Sequence, residues 1–253
     1  MKATTGWIAG MALVLAASAV TVRAADDAKG GLVGALASEG RPSEDRARDA
    51  GRKPVDVVAF FGIGPGMRVI DLIASGGYYS EVLAAAVGPS GVVYAQNPLF
   101  VLKMRDGAND KALTARLARD RLANVKRLDL DLADLELEPA SLDAAVTALN
   151  FHDVYNGPGL EAATGFLAAV YALLKPGGVL GLIDHSGNAD ADNAALHRIE
   201  EKLVDAAAES VGFEIEAKSD VLRNADDDRS KSVFAPGMRG HTDRFVMRLR
   251  KPG

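Results

Sequence analysis

The chain has 253 residues, 48% of them hydrophobic and 25% charged, with 26 Gly, 10 Pro and no Cys, a composition that excludes disorder and collagen-like repeats. The lack of Cys excludes a disulfide scaffold, a thiolate metal site, a cysteine nucleophile and a lipoprotein anchor, and a chain this long can bury roughly three quarters of its unfolded surface without a staple. A formal net charge of -5 argues against nucleic acid, whose phosphates need a basic field, and leaves a small molecule as the expected ligand.

Residues 1–24 read as a secretory signal peptide. Lys2 is the only charged side chain before Arg23, the run from Trp7 to Val22 is apolar or small, and Val22 and Ala24 suit cleavage before Ala25. The run is shorter than the ~20 residues a membrane span prefers, so no stable insertion is expected after cleavage. Taking Lys2 and Arg23 from the 29 basic residues leaves 27 against 34 acidic ones, an acidic protein expected in the periplasm or outside the cell. Residues 25–54 read as an N-terminal extension with one helix, in which Arg41, Arg46, Arg48 and Arg52 interleave with Glu44, Asp45 and Asp49. Either this helix is solvated and laced with weak salt bridges, or it folds over a cleft with Arg52 meeting a carboxylate.

From residue 55 to 253 the pattern alternates. Strand-length apolar runs stand at Met67–Leu72, Val92–Ala95, Val125–Leu128, Leu142–Leu149 and Val179–Ile183. Helical spacing fills Tyr78–Val87, Lys111–Leu122, Leu160–Leu174 and Ala189–Val211, and Lys175-Pro176-Gly177-Gly178 is a helix stop with Gly expected at the cap. Phe213–Val221 and Arg244–Arg250 read as two further strands, an antiparallel hairpin at one edge. The expected fold is α/β: a Rossmann-like, doubly wound, seven-stranded sheet, mostly parallel with an antiparallel C-terminal hairpin. Asn224–Thr242, long and charged, is either a mobile flap or a solvated loop.

Gly62-Ile63-Gly64-Pro65-Gly66 precedes the first strand and reads as a turn, since a phosphate-type loop must follow a strand and open a helix. Val69-Ile70-Asp71-Leu72-Ile73-Ala74-Ser75-Gly76-Gly77-Tyr78 does follow a strand, and lets a ligand approach backbone N–H groups at the switch point of the sheet. A small-residue turn that only packs helix on strand would look alike. Two of the four His stand just past the fourth and fifth strands, His152 beside Asp153 and His185 beside Asp184. Neighbouring parallel strands should bring these two His-Asp pairs together above one edge, with His197 following on the next helix. Imidazole between carboxylates suits a general base, with His152, Asp153 and His185 as the catalytic candidates. The same set could hold a divalent metal, although the spacing is not a recognised cage, or could merely cap loops.

Asp71 to Gly77, Asn97 after the second strand, Asp131 after the third, Leu142-Asp143 opening the fourth and Leu174-Lys175-Pro176-Gly177-Gly178 before the fifth resemble a class I S-adenosylmethionine-dependent methyltransferase over roughly residues 55 to 215. More narrowly, Arg52-Lys53-Pro54, Gly76-Gly77-Tyr78-Tyr79, Asn150-Phe151-His152-Asp153, Asp184-His185, Leu196-His197-Arg198 and Thr242-Asp243-Arg244-Phe245 resemble a poorly characterised bacterial group of predicted, often exported methyltransferases. The resemblance implies S-adenosylmethionine as cofactor. It implies that Asp71, Ala74, Ser75 and Gly77, with Asn150, approach the cofactor, that Asn97 faces the ribose hydroxyls, and that Asp131 with the backbone of Leu132 reads the adenine. Ile73 and Ser75 stand where the family has Gly, and because a β-branched residue tolerates positive φ badly, the turn is expected to be shaped differently. Asn97 replaces an acidic residue. The expected function is methyl transfer to a small molecule. The alternatives are an exported non-enzymatic protein that keeps the fold to bind a nucleoside or other ligand and, disfavoured by the absence of G-x-G-x-x-G, a nicotinamide oxidoreductase.

Overall fold

The computed structural model describes residues 29–253; the expected signal peptide and its cleavage point before Ala25 lie outside them. Residues 29–36 are helical (α1). There follow α2 (Ser43–Arg52), α3 (Pro54–Phe61), β1 (Arg68–Leu72), α4 (Tyr78–Val87), β2 (Val92–Gln96), α5 (Leu99–Leu117), β3 (Val125–Leu128) and β4 (Leu142–Ala148). Then come α6 (Phe151–Asn156), α7 (Leu160–Leu173), β5 (Leu174–His185), α8 (Asn193–Leu196), α9 (Glu201–Val211), β6 (Glu214–Ser219) and β7 (Arg244–Arg250).

The strands form one seven-stranded sheet in the order β3-β2-β1-β4-β5-β7-β6. β1 to β5 pair in parallel, and β7 runs antiparallel to both β5 and β6. Because side chains alternate along a strand, Val69 and Ile70 face opposite sides, and each side is sealed by helices. One core gathers Ile70, Leu72, Phe151, Leu167, Ile199 and Phe245; the other gathers Val69, Phe61, Tyr78, Val82, Val146 and Val246. The parallel strands deliver β1, β2, β3, β4 and β5 to one carboxyl edge, with the order reversing between β1 and β4. Among the described residues no helix is long and apolar enough to cross a membrane.

Three expected elements differ. Residues 189–211 are not one helix: His197 takes a left-handed φ of 54° at the end of α8, and Ile199 pairs with Ser186 before α9 begins. The break lets Ile199 enter the core and Arg198, fully buried, bond Asp227. The helix expected from Lys111 starts at Leu99 and is interrupted by non-helical residues Met104 to Gly107. The stop after Leu173 operates without a Gly cap. Leu174 leaves the helix extended and pairs at once with Leu142, while Gly177 takes φ 76° further on.

The N-terminal helix α2 is not merely solvated. Asp45 is fully buried against Arg116, and Asp49 accepts hydrogen bonds from the Tyr78 hydroxyl (2.6 Å) and from Arg41 (2.9 Å). Among the described residues Arg52 forms no ion pair with a carboxylate; its guanidinium lies over the rings of Tyr78 (4.3 Å) and Tyr79 (5.7 Å). The stretch from 224 to 242 is a loop pinned through Asp227, which accepts from Arg198 and from the backbone of Arg229 and Asp243.

Candidate functional site

The loop after β1 keeps a glycine-type path without the glycines. Ile73 (φ 52°), Ser75 (φ 51°) and Gly77 (φ 80°) all occupy the left-handed region, so the turn is not reshaped to spare the two side chains. Polar side chains from neighbouring strands hold it there. The Gln96 side chain accepts from the Ile73 amide (3.1 Å), and the Gln96 carbonyl accepts from Ala74 (2.9 Å). Asn97, fully buried, accepts from the Ser75 amide (2.7 Å) and donates to the Ser75 carbonyl (3.2 Å). From the end of β4, Asn150 donates to the Ile73 carbonyl (3.3 Å). Behind the loop Arg116 donates to the Gly76 carbonyl (2.8 Å) while pairing with Glu81 and Asp45. A larger residue at Gly77 would be strained, since its φ is 80° and an added Cβ would lie 2.8 Å from a Leu113 methyl. Within 73–77 the Gly76 amide is the one that finds no acceptor among the described residues.

Asp71 lies beneath this loop, buried, accepting a hydrogen bond from Ser80 (2.6 Å). Burial pushes its carboxyl up to about 7, against the opposing pull of Ser80, Arg52 and Arg116. Asp131 is exposed at the end of β3 and Leu132 behind it packs on the core. The two neighbouring loops are tied by Gln96, which donates to the Leu130 carbonyl (2.7 Å). Three large apolar side chains, Leu99, Phe100 and Leu130, stay exposed where β2 and β3 end.

Across the switch point the histidines converge as expected, with the rings of His152 and His185 5.7 Å apart and those of His152 and His197 also 5.7 Å apart. Both carboxylates turn to the His152 ring. Asp184 bonds the ring not of its neighbour His185 but of His152, through Nδ1 at 2.7 Å. It also accepts from the backbone amides of His152 and His185, each at 2.7 Å. An ionised carboxylate only accepts, so the His152 proton sits on Nδ1 and Nε2 is turned toward Asp153 (3.3 Å). Burial works against charge on His152, but Asp184 outweighs it and holds the imidazolium above its ordinary range. The same pairing holds Asp184 low against burial. His185 goes the other way: burial pushes it down to about 3, and its Nδ1 lies 2.8 Å from the Thr242 hydroxyl. His197 Nδ1 is 3.0 Å from Asp153, and the His197 ring packs edge-on against the exposed Phe234 at 4.7 Å.

Asp184, expected beside His185 but not among the catalytic candidates, is the carboxylate that holds the His152 ring. Thr242 is marked in the sequence only by the Thr242-Asp243-Arg244-Phe245 motif, and Gln96 carries no signal of its own.

No known sequence family and no curated protein matches this chain. Solved structures do resemble it. A SAM dependent methyltransferase from Aquifex aeolicus superposes with a TM-score of 0.58 at 21% identity, over 78% of this chain and 89% of its own. The cyclase SpnF gives 0.59 at 16% identity over 85% of both chains. Phosphoethanolamine N-methyltransferase 2 from Haemonchus contortus, in complex with S-adenosyl-L-methionine, gives 0.56 at 14% identity over 80% of this chain and 53% of its own. At these identities the likeness is one of fold, and the cyclase shares that fold with the methyltransferases.

Proposed function

We propose that the protein is an S-adenosylmethionine-dependent methyltransferase acting on a small-molecule acceptor. The observation that carries this reading is the loop after β1, in which Ile73 and Ser75 accept left-handed φ angles so that the backbone keeps the turn expected of a cofactor loop. A strained turn held by Gln96, Asn97 and Asn150 is what a ligand site retains and a packing turn has no need of. The residues present fit such a cofactor. The Gly76 amide is open, Asp131 offers an accessible carboxylate for an adenine amino group, and Leu99, Phe100 and Leu130 offer apolar faces for the base. Asn97 departs from this: its amide is engaged by Ser75, and a ribose there would have to share it.

The cofactor would supply an electrophilic methyl group on a sulfonium. The chain's part is alignment and proton removal. Asp184 fixes the His152 ring by accepting a hydrogen bond from its Nδ1–H, which leaves Nε2 to receive the proton of an acceptor O–H, N–H or S–H as that atom forms its new bond to carbon. Neutral His185 beside it adds a polar wall without a competing charge. We assign the activity to the periplasm or the cell exterior on the strength of the basic, then apolar, then small-residue leader, and cell fractionation of the full chain checks this.

Calorimetric titration with S-adenosylmethionine, its demethylated product and NADH tests the reading. Saturable binding of the first two and none of NADH is expected; no binding of either adenosyl ligand overturns it.

A further inference from the structure

We infer that His152, Asp153 and His197 form a binding site for one divalent first-row transition cation, of which Zn²⁺ is the type, with Asp184 as the carboxylate that orients its first ligand. The three residues offer one donor atom each, all within 4.8 Å of one another. Asp153 Oδ1 is 3.3 Å from His152 Nε2 and 3.0 Å from His197 Nδ1. Donors bound at about 2.1 Å to a common ion stand roughly 3.0–3.4 Å apart in octahedral or tetrahedral geometry, so two edges of the triangle already have the length required.

A further observation points to a cation. Asp184 accepts a hydrogen bond from His152 Nδ1–H, which leaves Nε2 directed toward Asp153; a carboxylate behind the ring is the usual device for presenting a ligating imidazole.

Three protein donors leave coordination positions open, which suits an acceptor with a hydroxyl or thiol donor. That role rests on the methyl-transfer reading. With a cation on Nε2, His152 acts as ligand, and activation passes from proton removal at that nitrogen to coordination, the acceptor's proton leaving to water.

The test uses untagged protein stripped with a chelator, titrated with Co²⁺ by absorption spectroscopy and with Zn²⁺ by calorimetry. One ion per chain is expected. His197→Ala and Asp153→Asn should each weaken binding at least about tenfold, Asp184→Asn by about 10–100-fold, and His241→Ala should leave it unchanged. His197 is part-exposed, so this variant keeps its fold, which a thermal melt checks. Absence of saturation by about 1 mM Zn²⁺, or an affinity that His197→Ala leaves intact, overturns the inference. Titration with S-adenosylmethionine requires no cation, so failure of the methyl-transfer reading is seen separately.

Discussion

The two halves of the carboxyl edge use polar side chains in opposite ways. On the β1 and β2 side, Gln96, Asn97, Asn150 and Arg116 turn inward and bond the loop's own backbone. On the β4 and β5 side, Asp184, His152, Asp153 and His197 bond one another in a chain that runs from the buried Asp184 to the exposed Asp153. The first half builds a shape and the second keeps a reactive set of donors. Substitutions in the first should therefore move stability and ligand affinity together. In the second, those nearest the mouth should move turnover more than stability.

The sharpest break of that contrast lies within the second half. His152→Ala should lower turnover, read as release of the demethylated cofactor, by roughly 10²–10⁴-fold with little change in cofactor affinity. Asp184→Ala should instead unfold the protein more easily, by about 3–5 kcal/mol, because a fully buried carboxylate that accepts from two amides and a ring leaves all three unpaired. Equal melting losses in both variants would make His152 a structural residue.

Asp71 gives the next largest effect, and its sign is unusual for a carboxylate. Its native pKa near 7 lies above the ordinary 3.8, so between these values the native state holds a proton that the unfolded chain has released. Stability should fall as pH rises from about 4 to about 7, each unit being worth about 1.4 kcal/mol at most. Asp71→Asn should flatten that fall and be the more stable protein at pH 8, measured by urea denaturation at pH 5 and pH 8. A parent chain that gains stability across this window would refute the assignment.

The sheet was legible because β1, β2 and β4 are mostly apolar runs with sharp ends, and the bounds of β1 to β4 shift by one residue at most. What was not legible depends on partners far away in the chain. Arg198 and Ile199 break a helical pattern because Asp227 and the core claim them. Asp184 and His152 are 32 residues apart, while the apparent pair of Asp184 with His185 is only adjacency. Ile73 reads as incompatible with a glycine turn until Gln96 and Asn150, 23 and 77 residues on, supply the bonds that hold it. Asn97 is a related case. Its donated bond to the Ser75 carbonyl has no counterpart in a carboxylate, so Asn97→Asp should cost about 1–3 kcal/mol in a thermal or urea melt. Unchanged stability would mean that this amide is free to serve a ligand.

The smallest effect tests the first half most directly. Left-handed backbone costs a residue with a Cβ roughly 1–2 kcal/mol, and Gly removes that cost while giving back about 0.5–1 kcal/mol through its freer unfolded chain. Ser75 has little else to lose, since its hydroxyl makes only a long 3.4 Å contact to the Ile73 carbonyl. Ser75→Gly should therefore raise the urea midpoint by the equivalent of about 0.5–1 kcal/mol, and Ile73→Gly should come out near neutral because part-buried apolar surface is lost with the strain. Affinity for the adenosyl ligand should not fall in Ser75→Gly, because the amide that Asn97 holds and the path of the loop are both kept. A loss of stability instead would show that the clamp from β2 and β4 already relieves the turn, so that the serine is there for its hydroxyl and not in spite of its Cβ.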